Sequence, residues 1–181
     1  MRKRRHWQVI NSRIVYQNPR MTVKEYRVIK PGGQKGVYSV LEKPDSCFII
    51  PLTKKGTIFL IEESRFPIKK TILQLPAGLI EDKKILESAR NELFQETGIQ
   101  ANELKKIGQF YIGAGHQTTK VTVVLASQLD LSQIGLGQQE GDEAIMGIKE
   151  VKIKDLKKMI QENKIECGIS LAALNLFFNQ S

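Results

Sequence analysis

One helical pattern stands between two groups of strand-like segments, and it limits the folds open to this chain. Within about residues 82–97, Leu86, Ala89 and Leu93 recur at spacings of three and four, as on one face of a helix. Gly98 follows, and glycine at this position commonly ends a helix in the left-handed conformation. The pattern predicts a helix that packs one apolar face on a core.

Three strand patterns open the chain and predict a small antiparallel sheet. They are WQVINSRIVY, MTVKEYRVI and VYSVLEK, separated by the turn signals QNPR and KPGGQKG. We expect this sheet within residues 1–44 and a main domain over residues 45–181.

The main domain combines apolar strands with helices. CFIIPLT and TIFLIEES, joined by the turn KKG, predict a hairpin, and TILQLP predicts a shorter strand ending at proline. After the first helix come three more strand patterns and two helical ones: IGQFYIG, KVTVVLASQL, AIMGIKEVKI, IKDLKKMIQENKI and SLAALNLFFNQ. The pattern indicates a mixed sheet with helices on its faces, an α/β or α+β sandwich.

Composition narrows the location and the partners. The 181 residues contain no apolar run near the ~20 residues needed to cross a bilayer, and no apolar stretch follows the basic start, so we expect a cytoplasmic protein without membrane contact. The net charge of +9 favours anionic partners such as nucleotides or phosphorylated metabolites. The lysines are scattered, which disfavours a nucleic-acid surface.

Cys47 and Cys167 lack metal-binding spacing, so we expect two reduced thiols rather than a zinc site.

Two acids on the predicted helix carry the clearest chemical signal. Glu92 and Glu96 are four residues apart and project from one face, where their like charges repel. Such a pair, with the oxygen of Gln95 beside it, suits a hard divalent cation, and the preceding turn LPAG could add a backbone carbonyl. The alternative is a solvated helix face that merely contains acids. The glycines on both sides of the helix favour the metal site.

The stretch from Gly78 to Ile99 resembles the Nudix box, G-x5-E-x7-R-E-U-x-E-E-x-G-U, where U is aliphatic. Other segments resemble the ADP-ribose pyrophosphatase branch of that family: LQLPAGLIED is similar to LELPAGLIE, and EESRFP to RQYRYP. EGDEAI is similar to its acidic loop, and ISLAALNLFF to its last helix. The resemblance implies a Nudix-type α/β/α sandwich with a mixed sheet, preceded by the small N-terminal antiparallel sheet.

The chain departs from the box at several positions. Asn91 stands in place of the arginine, and Gln95 in place of the penultimate glutamate. The box is one residue short before Glu92, which puts Lys83 or Lys84 at the first glutamate position. Either lysine could partly replace the missing arginine charge.

The resemblance implies a metal site and a reaction. Mg²⁺, or alternatively Mn²⁺, would be held by Glu92, Glu96, Gln95 and the Ala77 carbonyl. Water would attack a phosphorus of a nucleoside diphosphate sugar similar to ADP-ribose, giving a nucleoside monophosphate and a sugar phosphate.

The same resemblance assigns the general base to the late acidic loop, with Glu140 as first choice and Glu143 as second.

The resemblance also suggests residues that bind the substrate. Arg65 would contact the diphosphate, with Gln74, which stands where the branch usually has glutamate, and Gly78 in the same site. Phe66 could stack on the base, and Trp7, Tyr16 and Tyr26 are further candidates. The resemblance also implies a homodimer, in which the N-terminal sheet of residues 1–44 would serve dimerisation or substrate contact. This small sheet lacks enough core of its own and could pack on a second chain.

Two hypotheses remain open. The retained Glu92 and Glu96 favour a Mg²⁺-dependent pyrophosphatase. Asn91 and Gln95 favour a catalytically impaired Nudix-fold protein that binds a nucleotide or regulates a partner. RNA-end processing is a weaker third hypothesis, suggested by the positive charge.

Overall fold

The computed structural model describes residues 6–82, 84–137 and 144–180. The chain divides into two compact units. One comprises Met1–Asp45 and Tyr111–Lys120, and the other comprises Ser46–Phe110 and Val121–Ser181.

The first unit is built on an antiparallel sheet in the order β1-β2-β3, as expected from the three strand patterns. The strands are β1 (Gln8–Asn18), β2 (Met21–Ile29) and β3 (Lys35–Glu42). The turn between β1 and β2 is closed by the Asn18 side chain, whose Oδ1 accepts hydrogen bonds from the backbone N–H groups of Arg20 and Met21 at 2.9 and 2.8 Å. The strand in the middle, β2, is the one that contributes a buried residue, Val28.

The second unit contains two sheets and three helices. One sheet has the order β10-β5-β6, and the other has the order β7-β4-β9-β8, in which β4 and β9 run parallel. The strands are β4 (Ser46–Pro51), β5 (Thr57–Arg65), β6 (Lys70–Gln74), β7 (Ala77–Leu79), β8 (Gln100–Tyr111), β9 (Lys120–Asp130) and β10 (Ile145–Lys152). The helices are α1 (Ile85–Thr97), α2 (Ile153–Gln161) and α3 (Gly168–Phe178). The prediction of a mixed α/β fold is confirmed.

Strand β4 shows how the core is divided between the helices. Its side chains alternate, so that Cys47 and Ile49 pack in the cluster that contains Ala89 and Leu93 of α1. Its other side chains, such as Phe48, pack in the cluster that contains residues of α2 and α3. The strand is buried on both faces, as expected for a continuous apolar run between two helical layers.

The expected hairpin of CFIIPLT and TIFLIEES is wrong. β4 pairs with β7 and β9, whereas β5 pairs with β6 and β10. An isolated antiparallel bridge joins Leu52 and Ile58 where the two segments meet. Both strands are apolar on both faces, so each pairs within a different sheet, and the short turn between them connects the two sheets.

Helix α1 begins at Ile85, later than predicted, and ends where predicted. Gly98 has a φ of 72°, and its N–H bonds to the Phe94 carbonyl. The predicted apolar face is partly wrong, because Leu86 is 43% exposed while Ala89 and Leu93 are fully buried. In the described part of the chain, no helix has both the length and the apolar character required to cross a membrane.

Candidate active site

The short strand β7 places the loop before α1 directly against that helix. Gly78 pairs with Cys47, and Ala77 with Phe48, in the antiparallel ladder to β4. The preceding turn is fixed at Leu75, whose N–H donates to the buried hydroxyl of Ser170 at 3.0 Å. The backbone from Leu75 to Leu79 is therefore held in two ways. β7 pairs with β4, and the N–H of Leu75 is bonded to Ser170 of α3.

Both box carboxylates lie against this strand. Glu96 is 4% exposed, and its Oε2 accepts a hydrogen bond from the Ala77 N–H at 2.9 Å. Glu92 lies so close to Gly78 that a Cβ at this glycine would stand 1.8 Å from the Glu92 carboxyl carbon. The structure thus brings together Ala77, Gly78, Glu92 and Glu96, four of the residues singled out in the sequence.

Cys47 is a fifth member of this cluster, which the sequence reasoning missed. Its Sγ donates to the Gly78 carbonyl at 3.7 Å. Burial raises the pKa of the Cys47 thiol to about 12. The hydrogen bond to Gly78 opposes this increase in part, and the negative charges of Glu92 and Glu96 each add a smaller increase. The thiol therefore stays protonated beside the carboxylates. Its side of β4 follows from strand alternation, but the sequence did not reveal which helix that side faces.

The donor set of this cluster fits a hard divalent cation. The carboxylates of Glu92 and Glu96 and the nearby backbone offer oxygen, the element that Mg²⁺ prefers, and the protonated Cys47 contributes no thiolate. Among residues 6–82, 84–137 and 144–180, the structure shows no group of three or more histidine, cysteine, aspartate or glutamate side chains placed to hold a metal.

Two of the residues that differ from the box, Asn91 and Gln95, lie on α1. The Arg90 guanidinium donates to the Ala101 carbonyl at the start of β8, so it does not replace the missing box arginine. Lys84 pairs with Glu87 at 3.2 Å, with both side chains well exposed, and Lys83 lies outside the described residues. Gln95 is half-buried and lines a cleft together with Arg90.

Arg65 belongs to a hydrogen-bonded group on the hairpin of β5 and β6. Its Nε donates to Gln74 Oε1 at 3.1 Å, and its Nη1 lies 2.7 Å from Glu63 Oε1. Gln74 is fully buried, and its Nε2 donates to Glu63 Oε2 at 2.7 Å. Two predicted substrate residues, Arg65 and Gln74, are thus joined through Glu63, which the sequence reasoning did not single out. Phe66, next in the chain, is 86% exposed.

Glu140 and Glu143, the predicted candidates for the general base, lie outside the described residues. Their described neighbours lie beside the other site elements. A Cβ on Gly137 would stand 2.2 Å from the Gln95 carbonyl oxygen of α1, and the Ala144 carbonyl accepts the Ser64 N–H of β5 at 2.9 Å.

The first unit contains an aromatic cavity of its own. It has a volume of about 450 Å³ and is lined by Trp7, Tyr26, Tyr38 and His116, among others. The rings of Trp7 and Tyr38 meet edge to face, with centroids 5.1 Å apart. Two of the candidate base-stacking residues, Trp7 and Tyr26, therefore line one cavity.

Known proteins resemble this chain in sequence and in fold. It is 29% identical over 137 residues to an ADP-ribose pyrophosphatase of Bacillus subtilis (strain 168), covering 75% of this chain and 72% of that protein. It is 27% identical over 143 residues to a methanol dehydrogenase activator of Bacillus methanolicus, covering 72% and 76%. The crystal structure of an ADP compounds hydrolase superposes with a TM-score of 0.81 at 21% identity, covering 94% of this chain and 91% of that one, which confirms the predicted Nudix-type fold.

The NUDIX domain family model matches residues 42–166 of the chain, which include β4, β7 and α1. This match agrees with the box-like stretch and with the convergence of Glu92 and Glu96 on β7. The prediction of an enzyme of the Nudix hydrolase type is confirmed, and the chain belongs to the NUDIX domain family.

Proposed function

We propose that this protein is a Mg²⁺-dependent pyrophosphatase that cleaves a nucleoside diphosphate sugar similar to ADP-ribose into a nucleoside monophosphate and a sugar phosphate. The observation that carries this proposal is the convergence of Glu92 and Glu96 on β7, with Glu96 oriented by the Ala77 N–H. The relative named ADP-ribose pyrophosphatase supports the substrate class.

Nudix hydrolases use divalent cations, and the residues that would hold one here are Glu92, Glu96, Gln95 and the Ala77 carbonyl. A bound Mg²⁺, or Mn²⁺ in its place, would neutralise the diphosphate and lower the pKa of a water. Glu96 is fixed by its hydrogen bond and by burial, so its carboxylate needs little reorganisation to bind a cation.

The remaining roles fall to residues around this centre. Arg65 would bind the diphosphate, with Gln74 and Gly78 in the same site, and Phe66 would stack on the base. Glu140 is our first candidate for the general base and Glu143 the second, supported by the positions of Gly137 and Ala144.

We further propose that the protein is a cytoplasmic homodimer. The two cysteines are free thiols, which suits a reducing compartment. Strand β1 lies at the edge of its sheet and exposes apolar side chains, with Val9, Ile10, Ile14 and Val15 between 48% and 63% exposed. A second copy would cover these side chains.

A second candidate function is nucleotide binding or regulation with little turnover. Asn91 and Gln95 replace charged box residues, and Arg90 bonds to Ala101 instead of substituting for the missing arginine. One relative is named a methanol dehydrogenase activator, and this name supports a regulatory role as the alternative.

Product analysis separates the two candidates. The purified chain would be incubated with ADP-ribose, other nucleoside diphosphate sugars and dinucleotides, with Mg²⁺, with Mn²⁺ and with a chelator. From a nucleoside diphosphate sugar, the pyrophosphatase proposal predicts a nucleoside monophosphate and a sugar phosphate in equal amounts, formed with the metal and lost with the chelator. No product across the panel, together with a nucleotide-induced rise in Tm, would instead support the binding protein.

A further inference from the structure

The hairpin of β5 and β6 carries a buried carboxylate that the proposed reaction does not use. Glu63 is 6% exposed, and Gln74, on the neighbouring strand, is fully buried. In the strand register Ile61 pairs with Gln74 and Glu63 pairs with Ile72, so Glu63 and Gln74 are diagonal neighbours on one face. A buried carboxylate is costly unless it is paired and hydrogen-bonded, so this one requires an explanation.

The hydrogen bonds around Glu63 form a closed ring of three side chains. One Glu63 oxygen meets Arg65 Nη1 at 2.7 Å, and the other accepts from Gln74 Nε2 at 2.7 Å. Gln74 Oε1 completes the ring by accepting from Arg65 Nε at 3.1 Å. The ring holds the guanidinium at two of its nitrogens, although the Arg65 side chain is 41% exposed.

The ring carries its acid and its amide in the opposite order to the patterns that the chain resembles. RQYRYP has glutamine at the position of Glu63, and LELPAGLIE has glutamate at the position of Gln74. Here glutamate stands on β5 and glutamine on β6. Glu63 and Gln74 together still place one negative charge and one amide beside Arg65. Because these two side chains are in contact, exchanging the acid and the amide between the two positions preserves the hydrogen bond that joins them.

We propose that Glu63 is a positioning residue for Arg65, which supplies from β5 the carboxylate that position 74 lacks. It holds the guanidinium so that Nη2 faces an anionic phosphate oxygen of a nucleoside diphosphate. A pre-oriented guanidinium loses less conformational freedom when the anion binds. This inference rests on the proposed function for its substrate, but the ring itself does not.

An exchange experiment tests the ring. We compare Glu63→Gln, Gln74→Glu and the double variant that carries both changes. The first single change removes the charge beside Arg65, and the second buries two carboxylates in contact. Each is expected to lower kcat/KM by about tenfold or more. The double variant restores one acid and one amide, and its kcat/KM is expected within about threefold of the unaltered chain.

Glu62→Gln is the matched control, since Glu62 is the adjacent, half-buried glutamate and its carboxylate approaches Gly147 rather than Arg65. It should leave kcat/KM and Tm unchanged. A double variant whose loss equals the product of the two single losses would overturn the inference, because the two side chains would then act independently and not as one ring.

Binding of ADP and thermal unfolding make the test independent of turnover. If the chain hydrolyses no nucleoside diphosphate sugar, the proposed function fails, but the same four chains can still be compared by Kd for ADP and by Tm. The inference predicts weaker ADP binding and lower Tm in each single variant, and recovery of both in the double variant. Independent effects of the two changes on Kd and Tm would contradict it whatever the activity.

Discussion

Glu96 and Cys47 lie together at the candidate site but have opposite properties. Glu96 is a buried carboxylate that accepts the Ala77 N–H. Cys47 is a buried thiol whose pKa is raised, so it remains neutral next to the two acids. The spacing of Glu92 and Glu96 could be predicted from the sequence, because helix geometry is local. The position of Cys47 could not, because it depends on the pairing of β4 with β7.

Gly78 tests how closely β7 approaches the acids. In Gly78→Ala the new Cβ would stand 1.8 Å from the Glu92 carboxyl carbon, and the end of that flexible side chain is the group that can move. We expect kcat to fall by about tenfold or more while Tm changes by only a few degrees. Gly168→Ala is the control, because nothing lies within 4 Å of a Cβ at that glycine. A large loss of Tm would show that the backbone moved instead of Glu92.

The burial of Cys47 predicts how this thiol reacts and how stability changes at high pH. Iodoacetamide at pH 8 should label Cys167, which is half-buried, and leave Cys47 unlabelled in the folded chain. Mass spectrometry of the peptides measures this labelling directly, and Cys47→Ala should take up the same amount of label. Equal labelling of both thiols would contradict the burial of Cys47.

The raised pKa of Cys47 means that the thiol loses its proton at a lower pH in the unfolded chain than in the folded chain. The contribution of the neutral, buried thiol to stability is therefore present below pH 9.0 and is lost as the pH rises towards about 12.

At the scale of elements, the site depends on β7 and α1, which are held in place by different contacts. β7 pairs with β4, and α1 packs on the core through Ala89 and Leu93. The end of α1 could be predicted from Gly98, and the N-terminal strands from their alternation, because these signals are local. The partners of β4 and β5 could not, since both are apolar on both faces and the sequence does not specify which sheet each joins. The ring of Glu63, Arg65 and Gln74 could not be predicted either, because it joins side chains across two strands whose pairing the sequence does not specify.

Ser170 anchors the turn before β7 from helix α3. Its hydroxyl is fully buried and accepts the Leu75 N–H, so Ser170→Ala would leave a buried donor without this partner. We expect the free energy of unfolding to fall by about 1–3 kcal/mol, measured by urea denaturation. Ser64→Ala, at an exposed serine of β5, should change it by less than about 0.5 kcal/mol. Equal effects of the two changes would show that the Ser170 bond contributes no particular stability.

At the scale of the whole molecule, the exposed apolar side chains of β1 predict association. Sedimentation should give twice the 20.5 kDa mass of one chain. Ile14→Lys, at a residue 53% exposed on β1, should shift the protein towards the monomer, because it places a charge in the proposed interface. Ile68→Lys, at a residue 57% exposed in the other unit, is the control and should leave the mass unchanged. A monomeric parent chain would rule out the proposed dimer.

The central claim is that the carboxylates converging on β7 support metal-dependent hydrolysis. Its most direct test is the kcat for ADP-ribose with Mg²⁺ in the parent chain, in Glu96→Gln and in Glu87→Gln. Glu87 lies on the same helix with a 60% exposed side chain, so it matches the chemical change away from the site. We predict a loss of about a hundredfold or more for Glu96→Gln and less than about twofold for Glu87→Gln. Equal turnover by the parent chain and Glu96→Gln would contradict the account.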